Sequence, residues 1–240
     1  MRHVLVGLTI VIVACGGDSS GPAPGFECVG DALPTTAPAL VQVDGQILGN
    51  ALSPGPISNA IVTAFRVGVT DSIAIDTSNT PGFYALSLTT GGTPVNGYLR
   101  ARHSGQVDTY AYPSRPLAAN LTTNVLMPTQ AELDFLALAV GVTQSVSNGL
   151  IGVVVLDCNG VEVEGATVSI NPAGSSVVRY NAVGGAPSAT ATSTSTDGVA
   201  YVFNAPAGDV TVRANGGGQT LRQHVVNARA GTVTLTEIQP

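Results

Sequence analysis

The stretch from Leu150 to Ile238 limits most tightly what this chain can fold into. It holds Gly152-Val-Val-Val-Leu-Asp157, the turn Cys158-Asn159-Gly160, and Gly165-Ala-Thr-Val-Ser-Ile170. After a Ser/Thr/Ala-rich tract come Thr196-Asp197-Gly198, an apolar run, Ala205-Pro-Ala-Gly208 and Val210-Thr-Val-Arg-Ala214. Runs of about 4–8 β-branched and apolar residues, each bounded by Gly, Pro, Asn or Asp, read as short strands joined by turns. Gly198 and Gly208 stand where a turn with φ > 0 needs glycine, and Asp197 is placed to bond its own downstream backbone. A calcium loop is the competing use of Asp197-Gly198. Asp44, Asp71, Asp76 and Asp197 form no dense run and lack the EF-hand spacing, so turn chemistry is favoured.

A looser copy of this pattern lies upstream. Val41, Val43 and Ile47 alternate; Asn59-Ala-Ile-Val-Thr-Ala-Phe65 matches Gly165-Ala-Thr-Val-Ser-Ile-Asn171; and Thr80-Pro81-Gly82 matches Thr196-Asp197-Gly198. Leu99-Arg-Ala-Arg-His-Ser-Gly-Gln106 aligns without a gap with Val212-Arg-Ala-Asn-Gly-Gly-Gly-Gln219. The strand Thr232-Val-Thr-Leu-Thr236 has its partner near Asn124-Val-Leu-Met127. Each copy is long enough for its own small core, which favours tandem domains over a solenoid. The order strand, turn, Gly-Ala-x-Val, Thr-Asp-Gly, strand, small-Pro-x-Gly, Val-x-Val resembles the carboxypeptidase regulatory-like domains. The second copy carries this motif set and the first is degenerate, with Asn59 in place of Gly and no Asp in Thr80-Pro81-Gly82. The resemblance implies a transthyretin-like (prealbumin-like) Greek-key β-sandwich for each copy. Its motifs are turn chemistry and specify fold, not function.

The N-terminus reads as an export signal. Arg2 and His3 precede the apolar run Val4 to Ala14, which is too short to span a bilayer. Ile12-Val13-Ala14-Cys15 resembles the bacterial lipobox, and Gly16 to Pro22 is a flexible polar spacer. That implies lipidation at Cys15 and anchoring to the cell envelope; with Gly16 rather than Asp after the Cys, the outer membrane is the expected site. If Cys15 carries lipid, Cys28 and Cys158 remain as a candidate disulfide in an oxidising compartment, against the alternative of two free buried thiols. The expected layout is a signal peptide at 1–14, a tether at 15–38, a first sandwich at 39–127, a helical connector at 128–149 and a second sandwich at 150–240.

The connector contains a capping box, Pro128-Thr-Gln-Ala-Glu132, and Gly141 is placed to stop the helix. Leu133, Leu136, Ala137 and Val140 share one face, while Phe135, Leu138 and Ala139 cover much of the rest. The helix is therefore expected to be buried on two sides, between the sandwiches.

All nine basic residues are Arg, the net charge is −6, and Trp is absent. That composition lacks the basic footprint of a nucleic-acid binder. No Gly-x-Ser-x-Gly setting occurs, and His103 and His224 show no metal-ligand spacing with the cysteines. Glu162 and Glu164 read as a solvated edge. Arg100, Arg102, His103, Tyr98 and Tyr110 are weighed as a polar groove, against a plain Arg-bearing solvent face opposite Leu99 and Ala101. The expected function is non-catalytic, with no cofactor: a structural, adhesion or interaction module whose partner is an envelope protein or a polysaccharide. Carbohydrate binding is the alternative reading, with Tyr180 and Tyr201 as the candidate glycan contacts.

Overall fold

The computed structural model describes residues 21–49 and 54–240. The expected signal peptide and Cys15 lie outside the described residues. The first copy supplies β1 (Leu40–Gly49), β2 (Gly55–Pro56), β3 (Ile61–Arg66), β4 (Ser72–Thr77), β5 (Phe83–Thr89), β6 (Gly97–Arg102), β7 (Thr109–Tyr112), β8 (Leu121–Thr122) and β9 (Val125–Met127). One helix follows, α1 (Gln130–Ala139). The second copy supplies β10 (Gly149–Val155), β11 (Thr167–Asn171), β12 (Val177–Asn181), β13 (Pro187–Ser188), β14 (Val199–Ala205), β15 (Gly208–Gly216), β16 (Gln219–Thr220), β17 (His224–Ala228) and β18 (Val233–Ile238).

The internal repeat is visible in the pairing. In the first copy β1 pairs antiparallel with β5 and parallel with β9; in the second, β10 pairs antiparallel with β14 and parallel with β18. The other sheet of each copy likewise runs β3-β6-β7 and β11-β15-β17. Asn59 and Gly165 occupy equivalent turns, and both are left-handed, with φ of 60° and 76°. Asn is among the few non-glycine residues that adopt this conformation routinely. At the Thr-Asp-Gly turn Gly198 has φ 63°, and Asp197 Oδ1 accepts the Val199 amide at 3.1 Å.

The two copies share a sheet. β18 pairs parallel with β7 over Val233–Thr109 to Thr236–Tyr112, and this fuses one sheet of each copy into a nine-stranded whole, β13-β12-β14-β10-β18-β7-β6-β3-β4. Side-chain alternation then assigns its faces. Leu99, Ala101 and Ala111 point to the side covered by the first copy's small sheet, where they pack with Val41, Ile47, Leu86 and Met127. Ile151, Val153 and Val155 point to the opposite side, against Val168, Val210 and Val226 of the second copy's small sheet. The small sheets therefore cover opposite faces of opposite halves, and two uncovered quarters remain.

Helix α1 occupies one of these quarters. Its capping box is formed, with the Thr129 amide donating to Glu132 and the Glu132 amide to Thr129 Oγ1. At the other end the Val142 amide reaches Ala137 O and the Gly141 amide Leu138 O, with Gly141 at φ 70°. This is the Schellman arrangement. The Arg179 Nε donates to the C-terminal Val140 carbonyl at 3.2 Å, a cation where the helix dipole favours one. Leu133, Ala137 and Val140 pack with Leu150, Phe203, Val233 and Val107. Burial is confined to this face: Phe135 is 60% and Leu138 77% exposed. The helix thus lies on the shared sheet with one side open rather than being enclosed on two sides. The reason is that the copies meet edge to edge through β7 and β18, which leaves no slot between them for a helix to fill.

The segment before β1 is docked rather than free. Phe26 is buried in the second copy's core, Cys28 is bonded to Cys158 with Cα atoms 5.8 Å apart, and the Cys158 amide donates to Gly25 O. Further along, the Ala37 amide donates to Gly92 O of the first copy. The segment from Phe26 to Ala37 therefore straps the second copy to the first.

Candidate functional site

The two sheet quarters not covered by a small sheet are the candidate sites. The first lies over β7, β6, β3 and β4, on the side opposite Leu99 and Ala101. Cross-strand register places Tyr112, Tyr98 and Phe65 in one row, and Tyr110, Arg100 and Thr63 in the next. The Phe65 and Tyr98 rings stack at 5.3 Å and Tyr98 and Tyr112 at 4.9 Å. The Arg100 guanidinium lies 5.1 Å from the Phe65 ring centre, and that of Arg229, just past β17, lies 3.8 Å from Tyr110. Arg229 also donates to Tyr112 Oη and to Asn227 O. Rings of this kind offer their faces to cations. Among the described residues the one ion pair joins Arg102 to Asp108 at 3.2 Å, so Arg100 and Arg229 face rings with no carboxylate partner. Arg100 Nε is buried without a hydrogen-bond acceptor, and Tyr110 and Tyr112 are buried within the second copy's core. Toward β4 the face is open, with Ile61 and Ile75 45% and 66% exposed.

The groove weighed from sequence is thus an Arg-bearing face, as alternation requires, but it carries a ring stack that includes Phe65 and Tyr112. Those two were missed because their contact depends on the pairing of β3, β6 and β7. His103 lies in the turn after β6, its Nδ1 buried without a partner. His224 sits near Tyr112 with Nδ1 2.9 Å from Thr236 Oγ1, and burial lowers its pKa. Among the described residues no three His, Cys, Asp or Glu side chains converge as a metal site would require.

The expected glycan contacts are placed elsewhere. Tyr180 is buried at 5% exposure, and its hydroxyl accepts the Val168 amide at 2.9 Å. In β12 it is paired with Ala200 and points into the second core, so it cannot serve as a surface platform. Tyr201, one residue along in β14, points to the other face and lines the second candidate site.

That second site is an apolar cleft of about 690 Å³ beside α1. Its floor is one row of the shared sheet: Tyr201, Gly152, Leu235 and Ala111. Leu136 and Ala139 of α1 wall one side, and Leu121 and Leu126 from the first copy line another. The small residues Gly152 and Ala111 flank Leu235 and deepen the floor. A glycine inside a central strand marks a close approach, since it weakens the strand by roughly 0.5–1 kcal/mol against Ala. Here a Cβ on Gly152 would come 3.0 Å from Leu235 Cδ2. Glu237 lines the cleft too; burial raises its pKa, with Arg115 opposing. Burial likewise raises that of the Tyr201 phenol. Nothing in the sequence points to this cleft, because its walls come from segments that meet only through the β7–β18 pairing.

No family model matches the sequence and no curated protein aligns with it. Solved structures with partial likeness include the Bacillus anthracis TIE protein, at 11% identity and a TM-score of 0.28 over 83% of this chain and 35% of that one. The chain thus spans about a third of that protein's length. The shaft pilin SpaA of Lactobacillus rhamnosus GG matches at 11% identity and a TM-score of 0.26, over 84% of this chain and 98% of that one. A streptococcal ancillary pilin matches at 10% identity and 0.26, over 84% and 62%. The all-β sandwich assignment rests on the sheets themselves.

Proposed function

We propose that this chain is an exported, lipid-anchored, non-catalytic module of the bacterial cell envelope that adheres to its partner through the β3–β4 end of the arginine-bearing face, around Arg100 and Phe65. Export and anchoring are read from Arg2 to Ala14 and the lipobox-like Ile12-Val13-Ala14-Cys15. Among the described residues no helix is long and apolar enough to cross a membrane. The carboxypeptidase regulatory-like resemblance fits a supporting β-sandwich rather than a catalyst.

The observation that carries the adhesion reading is Arg100, held against the half-buried Phe65 ring with no carboxylate partner and flanked by the exposed Ile61 and Ile75, while Tyr110 and Tyr112 are buried and close the face at its other end. Rings accept the apolar faces of sugars or side chains, and guanidinium groups take carboxylates in bidentate fashion. An acidic polysaccharide presents both. The test is binding of the purified chain to immobilised uronate-containing and neutral polysaccharides. Retention on the acidic ones, lost in Arg100→Ala, is the expected result. Equal retention by both variants, or none at all, would remove the reading. Mass spectrometry of the mature N-terminus tests the anchor separately: the expected species begins at a diacylated or triacylated Cys15.

A further inference from the structure

We propose that the cleft beside α1 binds a long aliphatic molecule that carries an uncharged or cationic hydrogen-bond donor at one end. The volume of about 690 Å³ falls inside the range of roughly 300–1,000 Å³ typical of small-molecule sites. Its walls are aliphatic along most of their length, from Leu121 and Leu126 past Leu235 to Leu136 and Ala139. An alkyl chain is the ligand that removes such a surface from water without stranding polar groups of its own.

The polar groups select the head. No Arg or His lines the cleft, whereas Glu132 and Glu237 both do. Glu132 is committed to the helix cap. Glu237 on β18, and the Asp197 carboxylate bonded to Asn181 at the β12 end, each repel a second anion brought next to them. An anionic head is therefore excluded by charge. At the β12 end, Asn181 is 5% exposed, and its Nδ2 donates to Asp197 Oδ2 at 2.6 Å. The carboxylate accepts only, so this bond fixes the orientation of the amide. It leaves Oδ1 buried and without a partner. Asp197 is otherwise occupied by Ser195 Oγ and the Val199 amide, so it holds Asn181 in place rather than competing for the ligand. A buried acceptor with no donor is rare in native proteins. Asn181 also lines the cleft, where a ligand hydroxyl, amide or ammonium would satisfy that oxygen.

This site is separate from the arginine face and its test is independent of it. Dodecan-1-ol, dodecylamine and dodecanoate, each below its critical micelle concentration, are titrated into the purified chain by calorimetry at neutral pH, with stoichiometry checked by native mass spectrometry. The alcohol and the amine are expected to bind one per chain, and dodecanoate at least about tenfold more weakly. Ala139→Trp fills the cleft from the exposed flank of α1 and is expected to weaken the amine at least about tenfold with the melting temperature nearly unchanged. Gly152→Val does so from the floor and serves as the second variant if the first disturbs the helix. Equal binding of all three probes, tighter binding of dodecanoate, or affinity unchanged in both variants would overturn the proposal. So would a concentration-dependent dimer abolished by Ala139→Trp with no probe bound, which would give the cleft to a second copy of the chain.

Discussion

Two leucines on α1 make opposite claims about which side of the helix matters. Leu133 is 7% exposed and packs with Val140, Phe203 and Val233, while Leu138 is 77% exposed. Replacing Leu133 by Ala removes three carbon groups worth roughly 0.8 kcal/mol each in transfer from water. It also leaves a cavity under a helix that Arg179 and the capping box hold in place, so the site collapses only in part. A cost of about 3 kcal/mol is expected, within the roughly 2–5 kcal/mol seen for buried Leu→Ala changes. In a domain of this size that lowers the melting temperature by about 6–12 °C. Leu138→Ala removes the same atoms from water-facing surface and installs the best helix former, so its cost should stay within about 0.5 kcal/mol. Thermal melts followed by circular dichroism on wild type and both variants suffice. Similar losses in the two variants would refute one-sided packing, and a silent Leu133→Ala would refute docking of the helix altogether.

Reduction of the Cys28–Cys158 bond, or Cys28→Ser, should destabilise the fold, because the bond closes a loop of 130 residues in sequence separation. The chain-entropy model gives about 5 kcal/mol as an upper figure, and denaturant melts with and without reductant measure it. Glu237 supplies a pH-dependent test. Burial raises its folded-state pKa, so the folded state keeps a proton that the unfolded chain releases. Its stabilising contribution is complete below the ordinary carboxyl range and is lost as pH rises through the raised value. Glu237→Gln should therefore raise the melting temperature near pH 7, and the difference should vanish below about pH 4; a variant less stable at pH 7 would contradict the sign.

The features legible in the sequence are those whose cause is local. Strand alternation, the φ > 0 turns at Gly198 and Gly208, and the two caps of α1 depend on neighbours a few residues away, and all appear where the residue types put them. The repeat was legible because both copies retain the same turn residues. The join between the copies was not. β7 and β18 pair through backbone groups, and an alternating strand such as Thr109-Tyr-Ala-Tyr112 looks the same whether its edge is free or paired. Everything that depends on that join was hidden with it: the open flank of Phe135 and Leu138, and the cleft floored by Gly152 and Leu235; the stack of Tyr98 on Tyr112 was hidden instead in the β6–β7 pairing of the first copy. The misplacement of Tyr180 has a different origin. Alternation gives two faces but not which one is the core, and Tyr180 takes the core face with its hydroxyl bonded to the Val168 backbone.

The shared sheet makes one folding unit of two copies, and differential scanning calorimetry of the oxidised chain tests that most directly. A single transition is expected, with the calorimetric enthalpy equal to the van't Hoff enthalpy. The same single transition, at lower temperature, is expected in Leu133→Ala. Two resolved transitions, or a variant that shifts only part of the heat absorption, would mean that the β7–β18 pairing does not couple the copies.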